Sequence, residues 1–362
     1  MIKKGIFVTL MVFSFTFLGF SCKEDNENRY GSGQTTGETP GETPGEIPDD
    51  NNKIVLAYVT SWSAEMPDPN YLTHINYSFG HVNDTYNGVT IENETRLKSI
   101  VDLKKQKPAL KILLSVGGWE SGRFSEMAAT ENNRKSFAAD CKRIVDEFGL
   151  DGIDLDWEYP TSSESGISSS PKDTENYNLL AQEIRKAIGN QKLLTFASSA
   201  SGRYYDFKTL AEIVNFVNIM MYDTDVPPYH HSALHRSELA NEISADESIA
   251  KHIEGGMPAK KLVLGIPFYG HGDIKNIAYS VNYKEIINKL TGFTEKWDDI
   301  AKVPYLVNEK GEIVLVYENA RSIGFKCEYL LQQHLRGAMY WEYSSDDAEG
   351  TLRKAVWKGI ME

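Results

Sequence analysis

Asp151-Gly-Ile-Asp154-Leu-Asp156-Trp-Glu158 crowds four acidic residues into one short segment. Read as a strand, with a side-chain period of two, it puts Asp154, Asp156 and Glu158 on one face and Ile153, Leu155 and Trp157 on the other. Three carboxyl groups in a buried column repel one another and lose hydration, so stability does not account for them. Such a column must hold a proton, and carboxyl groups whose pKa values are forced apart are what general acid catalysis requires. A metal site and an inert, solvated acidic edge are the other readings. Against a metal, no histidine accompanies the run, and strand rise spreads Asp154 to Glu158 over about 13 Å. Asp151 has the opposite parity, sits at the strand entrance and reads as structural.

The elements that position this column alternate from Ile54 onward. Strand patterns fall at Ile54–Val59, His74–Phe79, Lys111–Val116, Gly152–Tyr159, Leu193–Ser198, Phe216–Tyr222, Lys261–Pro267 and Ala338–Glu342. Amphipathic helical patterns fall at Glu94–Lys107, Asn132–Phe148, Thr174–Ile188, Leu210–Val214, Ala245–Glu254 and Gly350–Lys358. Strands followed by helices imply a parallel sheet, and eight of them imply closure. The expected fold class is α/β: a (β/α)8 TIM barrel over residues 53–362, with an open doubly wound sheet as the alternative. A small α+β insertion, about 271–335, is expected between strands 7 and 8. It contains a helix over Tyr279–Leu290 and a hairpin of Val303–Val307 and Ile313–Tyr317 around the turn Asn308–Gly311.

The first fifty residues read differently. Lys3 and Lys4 precede an apolar run ending at Ser21-Cys22, which reads as an export signal over 1–21. Ser21-Cys22 resembles the lipobox of bacterial lipoproteins, and Lys23-Glu24-Asp25 resembles the export tag of Bacteroides-type surface lipoproteins. Cys22 is thus the expected lipidation site, on a protein held at the outer membrane and exposed at its surface. Residues 22–52, with Gly37-Glu-Thr-Pro, Gly41-Glu-Thr-Pro and Gly45-Glu-Ile-Pro, are too polar to fold and read as a spacer. The net charge of −13 disfavours nucleic acid and anionic lipid as partners, while an uncharged sugar polymer is indifferent to it. The lipid is then the chain's one membrane contact. Cys141 reads as a small buried hydrophobe, and its pairing with Cys327 stays open.

With Ser115-Val-Gly117-Gly118, Met220-Met-Tyr222-Asp223, Gly265-Ile-Pro-Phe-Tyr-Gly270 and Met339-Tyr-Trp341, followed by Asp346-Asp347, the acidic strand resembles the motifs of glycoside hydrolase family 18, the chitinases and endo-β-N-acetylglucosaminidases. The likeness runs in order from Ile54 to Glu362. It implies retaining, substrate-assisted hydrolysis of β-1,4 linkages in N-acetylglucosamine-containing glycans, chitin or chito-oligosaccharides first. Cleavage of the chitobiose core of N-glycans is the alternative enzyme reading, and a non-catalytic glycan-binding protein the alternative of another class.

The resemblance makes Glu158 the proton donor to the leaving oxygen, Asp156 the partner of the substrate's acetamido N–H, and Asp154 the support of Asp156. Tyr222 donates to the acetamido carbonyl, and Trp341 forms an apolar floor under the sugar. Asp223 is expected to bond a sugar hydroxyl, a loop cap being its other reading. Trp119, Tyr269, Tyr58, Ser115 and Gly118 are further substrate-binding candidates, and the groove aromatics also include Trp62, Tyr159 and Tyr229. Tyr340 alternates away from Trp341 and should pack outward. Ser115 and Gly118 keep space beside the column, and Gly117 allows close backbone approach. His230, His231 and His235 follow Pro227-Pro228 and lack a matching carboxylate frame, so they read as a substrate-facing loop. No metal, cofactor or obligate protein partner is expected; the partner is the glycan.

Overall fold

The computed structural model describes residues 52–288 and 291–362. The export segment 1–21, Cys22 and the spacer up to residue 51 lie outside them.

In chain order the elements are β1 (Ile54–Thr60), β2 (His74–Val82), β3 (Val89–Ile91), α1 (Glu94–Val101), β4 (Lys111–Gly117), α2 (Phe124–Ala129), α3 (Glu131–Phe148), β5 (Gly152–Asp156) and α4 (Asp173–Ile188). There follow β6 (Leu193–Ser199), α5 (Phe207–Leu210), β7 (Phe216–Met220), α6 (Ala245–Glu254), β8 (Leu262–Pro267), β9 (Tyr269–Gly272), β10 (Ser280–Asn282) and α7 (Tyr283–Ile286). The chain ends with β11 (Thr294–Asp298), β12 (Val303–Val307), β13 (Ile313–Val316), α8 (Ala320–Gln332), β14 (Gly337–Trp341) and α9 (Thr351–Met361). Among the described residues, β1, β2, β4, β5, β6, β7, β8 and β14 pair in parallel, and β1 closes on both β2 and β14. This is the expected barrel.

Strand alternation divides the core in two. Val55, Ala57, Ile112, Leu114, Ile153, Leu155, Val217 and Ile219 face outward and pack under the helices. Ile54, Leu56, Tyr58, Phe216, Val263 and Met339 form a second apolar cluster that shares their strands but has the opposite parity, so it fills the barrel. The helices carry local start and stop signals. Thr130 accepts from Asn133 N to open α3, and Gly149, at φ 66°, closes it in the left-handed conformation that glycine favours.

Several sequence-derived boundaries shift. The strand read over Gly152–Tyr159 ends at Asp156, so Glu158 stands in the loop beyond it. The helix read over Leu210–Val214 lies earlier, at Phe207–Leu210, where Asp206 caps Thr209 N. The helix read from Tyr279 to Leu290 begins as the strand β10, because Ser280–Asn282 pair with Tyr269–His271 of β9; residues 289 and 290 lie outside the described set.

The hairpin of β12 and β13 forms as expected. It belongs to a five-stranded antiparallel sheet in the order β10-β9-β13-β12-β11. That sheet starts at Tyr269, immediately beyond β8, slightly before the expected boundary near 271. Val281, Tyr283, Ile286, Leu306 and Leu315 join the main core, so the insertion is not a separate body.

The helix α8 within this region has no counterpart among the sequence-derived helices. A lysine breaks its apolar face: Lys326 is fully buried, donates to Ser232 O and Oγ, and pairs with buried Glu318. Burial lowers the Lys326 pKa, while Glu318 opposes the shift. Cys141 and Cys327 are both buried and free, and the cysteine pairing left open by the sequence does not form.

Lys326→Met would strand a buried carboxylate and should cost on the order of 3–5 kcal/mol in urea unfolding. The double variant Lys326→Met, Glu318→Leu should recover most of it. A loss below about 1 kcal/mol in the single variant would show that the pair does not hold the insertion to the barrel.

Candidate active site

The column is built from register. Ser115 lies beside Asp154, and Asp154 beside Thr195, across β4, β5 and β6. Asp154 is fully buried and accepts four hydrogen bonds. Tyr58 and Ser115 each donate to Oδ2 at 2.8 Å, while Thr195 at 2.5 Å and Asn218 at 3.2 Å donate to Oδ1. Burial pushes its carboxyl up, and those donors pull the other way.

Asp156, two residues on, has no such support. It is 3% exposed, and its Oδ1 is buried without a partner. Burial, then Glu158, then Asp154 push its pKa well above the carboxylate range. Glu158 is raised to about 7, chiefly by burial; a hydrogen bond with Tyr159 opposes this and Asp223 adds to it. Ser165 Oγ donates to the Glu158 carbonyl at 2.8 Å and fixes the loop. Buried Asp173 accepts from Ser125 and Ser170 N, anchoring that loop to α2 and to the start of α4.

Gly117 is required by close approach. Its φ is 132°, and a Cβ there would stand 2.0 Å from Asp156 O. The adjacent Gly118 N donates to that same oxygen at 2.9 Å. A Cβ on Gly118 would meet the Phe79 ring at 2.8 Å.

Glu158, Tyr222, Asp223, Trp62, Trp119, Tyr159, Tyr269 and Trp341 line one cleft of about 1090 Å³. Trp341 stacks on Phe79 at 5.8 Å and leans on Tyr58 at 5.6 Å, leaving part of its indole to the cleft. Trp119 is 55% and Trp62 64% exposed. Tyr222 is enclosed, and burial first, with Asp156 and Glu158 next, raises its pKa well above the usual value, so it stays a neutral donor.

Tyr58, Ser115 and Tyr229 take different positions from those expected, while Asp151 and Tyr340 take the expected ones. Tyr58 and Ser115 do not face the groove: their buried hydroxyls are spent on Asp154. Tyr229 lies outside the lining. Asp346 and Asp347 cap α9, accepting from Leu352, Arg353 and Thr351 N–H. Asp151 is structural, pairing with Lys104 at 2.7 Å and accepting from Ile112 N. Tyr340 packs outward, stacked on Phe268 at 4.1 Å.

Asp223 is more than a loop cap. It has a left-handed φ of 56°, and its Oδ1 accepts from Tyr269 and lies 2.7 Å from His271 Nε2 and 3.8 Å from His231 Nδ1. Burial raises its pKa, but these bonds outweigh burial and hold it below the usual range.

Of the histidines read as a substrate-facing loop, His230 and His231 turn inward and His235 is half-buried. His230 is buried on Asp298, His231 is buried beside Asp223, and His235 bonds Asp246. Each ring has a local polar partner, which the sequence order does not display. Thr195, Asn218 and His271 escaped the sequence reading. The even parity of Asn218 with Met220 and of Thr195 with Ala197 was the available signal for the first two.

The family model for glycosyl hydrolases family 18 matches residues 54–346. The chain belongs to that family. It is 32% identical to Chitinase A1 of Niallia circulans over 402 residues, covering 82% of this chain and 57% of that protein. Its fold overlays a family 18 N-acetylglucosaminidase from Paenibacillus barengoltzii with a TM-score of 0.78 at 33% identity, covering 85% of this chain and all of the other. Chitinase ChiW from Paenibacillus sp. str. FPU-7, described as a cell-surface-expressed multi-modular enzyme, gives 0.79 at 29% identity, covering 85% of this chain and 43% of that one.

The family site carries a stability signature. Glu158 titrates near 7 when folded, against about 4.3 for an unfolded Glu. Its contribution is therefore complete below about pH 4.3 and is lost as pH rises through 7. Glu158→Gln lacks that loss. Relative to wild type, it should gain on the order of 3 kcal/mol in urea unfolding between pH 4 and pH 8. A pH-independent difference would mean that Glu158 ionises normally in the fold.

Proposed function

We propose that this family 18 chain is a retaining hydrolase of β-1,4-linked N-acetylglucosamine chains in which the substrate's own 2-acetamido oxygen is the nucleophile. The observation that carries this reading is Asp156 Oδ1, a buried acceptor with no partner, placed between a fully bonded Asp154 and the raised Glu158. An acetamido N–H supplies the missing donor. Burying an acceptor unpaired costs about 1–3 kcal/mol, and a substrate that pairs it recovers that.

Glu158, still protonated near neutrality, donates to the leaving glycosidic oxygen as the C–O bond breaks. The acetamido carbonyl oxygen attacks the anomeric carbon and closes a cyclic oxazolinium intermediate. Asp156 accepts its N–H through the unpartnered Oδ1. Tyr222 donates to the carbonyl oxygen and orients it. Glu158, now a carboxylate, then takes a proton from the water that opens the ring, so two inversions give retention. An attached nucleophile avoids the entropy of recruiting one, and the scheme differs from that of a two-carboxylate glycosidase. Trp341 supplies the apolar floor, with Trp62 and Trp119 along the cleft. Chitin and chito-oligosaccharides are the substrates of first choice, in keeping with the names of the relatives.

We also propose that Cys22 carries lipid and that the spacer holds the barrel off the outer membrane at the cell surface. The basic, apolar and Ser21-Cys22 sequence supports this. Cys22→Ser should release the protein from membranes or block its maturation, with turnover by the purified barrel unchanged. Membrane partitioning that persists, with no lipid mass on the mature N-terminus, would end the anchor reading.

The mechanism is tested on the substrate. Replacing the 2-acetamido group by hydroxyl should drop turnover to near background. Glu158→Gln should lose on the order of 10² to 10⁴ on natural glycans and less on an aryl glycoside. Brisk hydrolysis of the 2-hydroxy substrate, or a covalent 2-fluoro-sugar adduct on Asp156 or Glu158, would overturn the acetamido mechanism.

A further inference from the structure

Three side chains that the hydrolytic scheme does not require for proton transfer converge at one edge of the cleft. Asp223 Oδ1 lies 2.7 Å from His271 Nε2 and 3.8 Å from His231 Nδ1, and the two imidazole rings meet edge to face at 4.6 Å. The hydrogen count there is unusual. His271 Nδ1 lies 3.0 Å from Tyr279 O, which only accepts, so Nδ1 carries a hydrogen. The same imidazole then needs a second hydrogen, on Nε2, to bond a carboxylate oxygen that already accepts from Tyr269. One proton must be held between lone pairs.

His231 adds another lone pair. Its ring is 1% exposed and meets the His271 ring at 4.6 Å. Nδ1 accepts only a long 3.5 Å hydrogen bond, from Asp223 N–H, and Nε2 is buried without a partner.

We infer that Asp223, His231 and His271 form a site for one divalent transition-metal ion of the imidazole-binding class (copper, zinc or nickel), which replaces that proton and shuts the enzyme off.

Distance, orientation and access support it. Tetrahedral bonds of 2.0–2.1 Å place ligand atoms roughly 3.4 Å apart; the observed 2.7 and 3.8 Å bracket this, and the three ligand atoms lie within 4.8 Å of one another. Tyr279 O fixes the His271 ring through Nδ1–H, the arrangement that metal-ligating histidines use to present Nε2. The Asp223 side chain is 53% accessible, so an ion reaches the frame from the cleft and keeps an open coordination position there. Two imidazoles and one carboxylate suit zinc, nickel and, most tightly, copper.

The consequence for turnover rests on the catalytic reading given above; the binding does not. Asp223 and His271 line the same cleft as Glu158, Tyr222 and Trp341, so an ion bound there stands where the glycan must lie. The same cation occupies the carboxylate at the cleft wall.

The test titrates the intact protein with copper(II) and reads electron paramagnetic resonance. The expected result is one ion per chain with superhyperfine coupling from two imidazole nitrogens. His271→Gln and His231→Gln should each raise Kd at least about tenfold, whereas His235→Gln, bonded to Asp246 away from the frame, should not change it. Turnover should fall in step with occupancy, and a chelator should restore it. No one-to-one site, coupling to fewer than two imidazole nitrogens, or binding unchanged in folded His271→Gln would overturn the proposal. If the variants do not fold, the wild-type spectrum alone decides. Because that spectrum needs no turnover, failure of the catalytic reading would leave it intact. A two-nitrogen site with unaffected turnover would remove the inhibitory role.

Discussion

The site depends on unequal treatment of three carboxyl groups stacked at the mouth of one barrel. Asp154 is given four donors, so its buried charge is matched and its geometry fixed. Burial raises all three, but at Asp156 and Glu158 it meets far less opposition from donors. Burial alone would raise all three and produce an inert, protonated cluster. Complete bonding of all three would produce a rigid anionic one. The distribution of donors makes the lowest group an anchor and leaves the upper two to exchange protons.

That distribution reaches through the fold. Tyr58 comes from β1, Ser115 from β4, Thr195 from β6 and Asn218 from β7, so Asp154 is satisfied only after barrel closure. Gly117 lets the turn after β4 lie on the Asp156 carbonyl, where any Cβ would collide. The insertion is tied in as well. Lys326 of α8 holds Ser232, whose hydroxyl donates to Met221 O at 2.8 Å, next to Tyr222 and Asp223. A buried charge pair thus connects the far side of the insertion to the residues that orient the cleft.

Much of this was legible in the chain because parity is a local property. The even spacing of Asp154, Asp156 and Glu158 gave the column, and strand–helix alternation gave the barrel. The placement of Tyr222, Asp223 and Trp341 on one cleft came from the resemblance to family 18, and that of Trp119 from its position just past a strand end. What escaped was set by partners distant in sequence. Tyr58 reads as a groove aromatic until its hydroxyl is seen on Asp154, 96 residues away. His231 and His271 lie 40 positions apart and meet only because β9 turns back beside the loop after β7. The helix α8 was hidden by Lys326, a charge on a buried face whose partner, Glu318, lies outside the helix.

The central claim is that the fold holds a proton on Glu158 near neutrality. Carboxyl-carbon NMR of protein with selectively labelled glutamate measures it directly, with Glu158→Gln assigning the resonance. The account predicts that the carboxyl pair titrates with a midpoint near 7 at Glu158. A Glu158 resonance that titrates in the ordinary range, about 4.3, would contradict it.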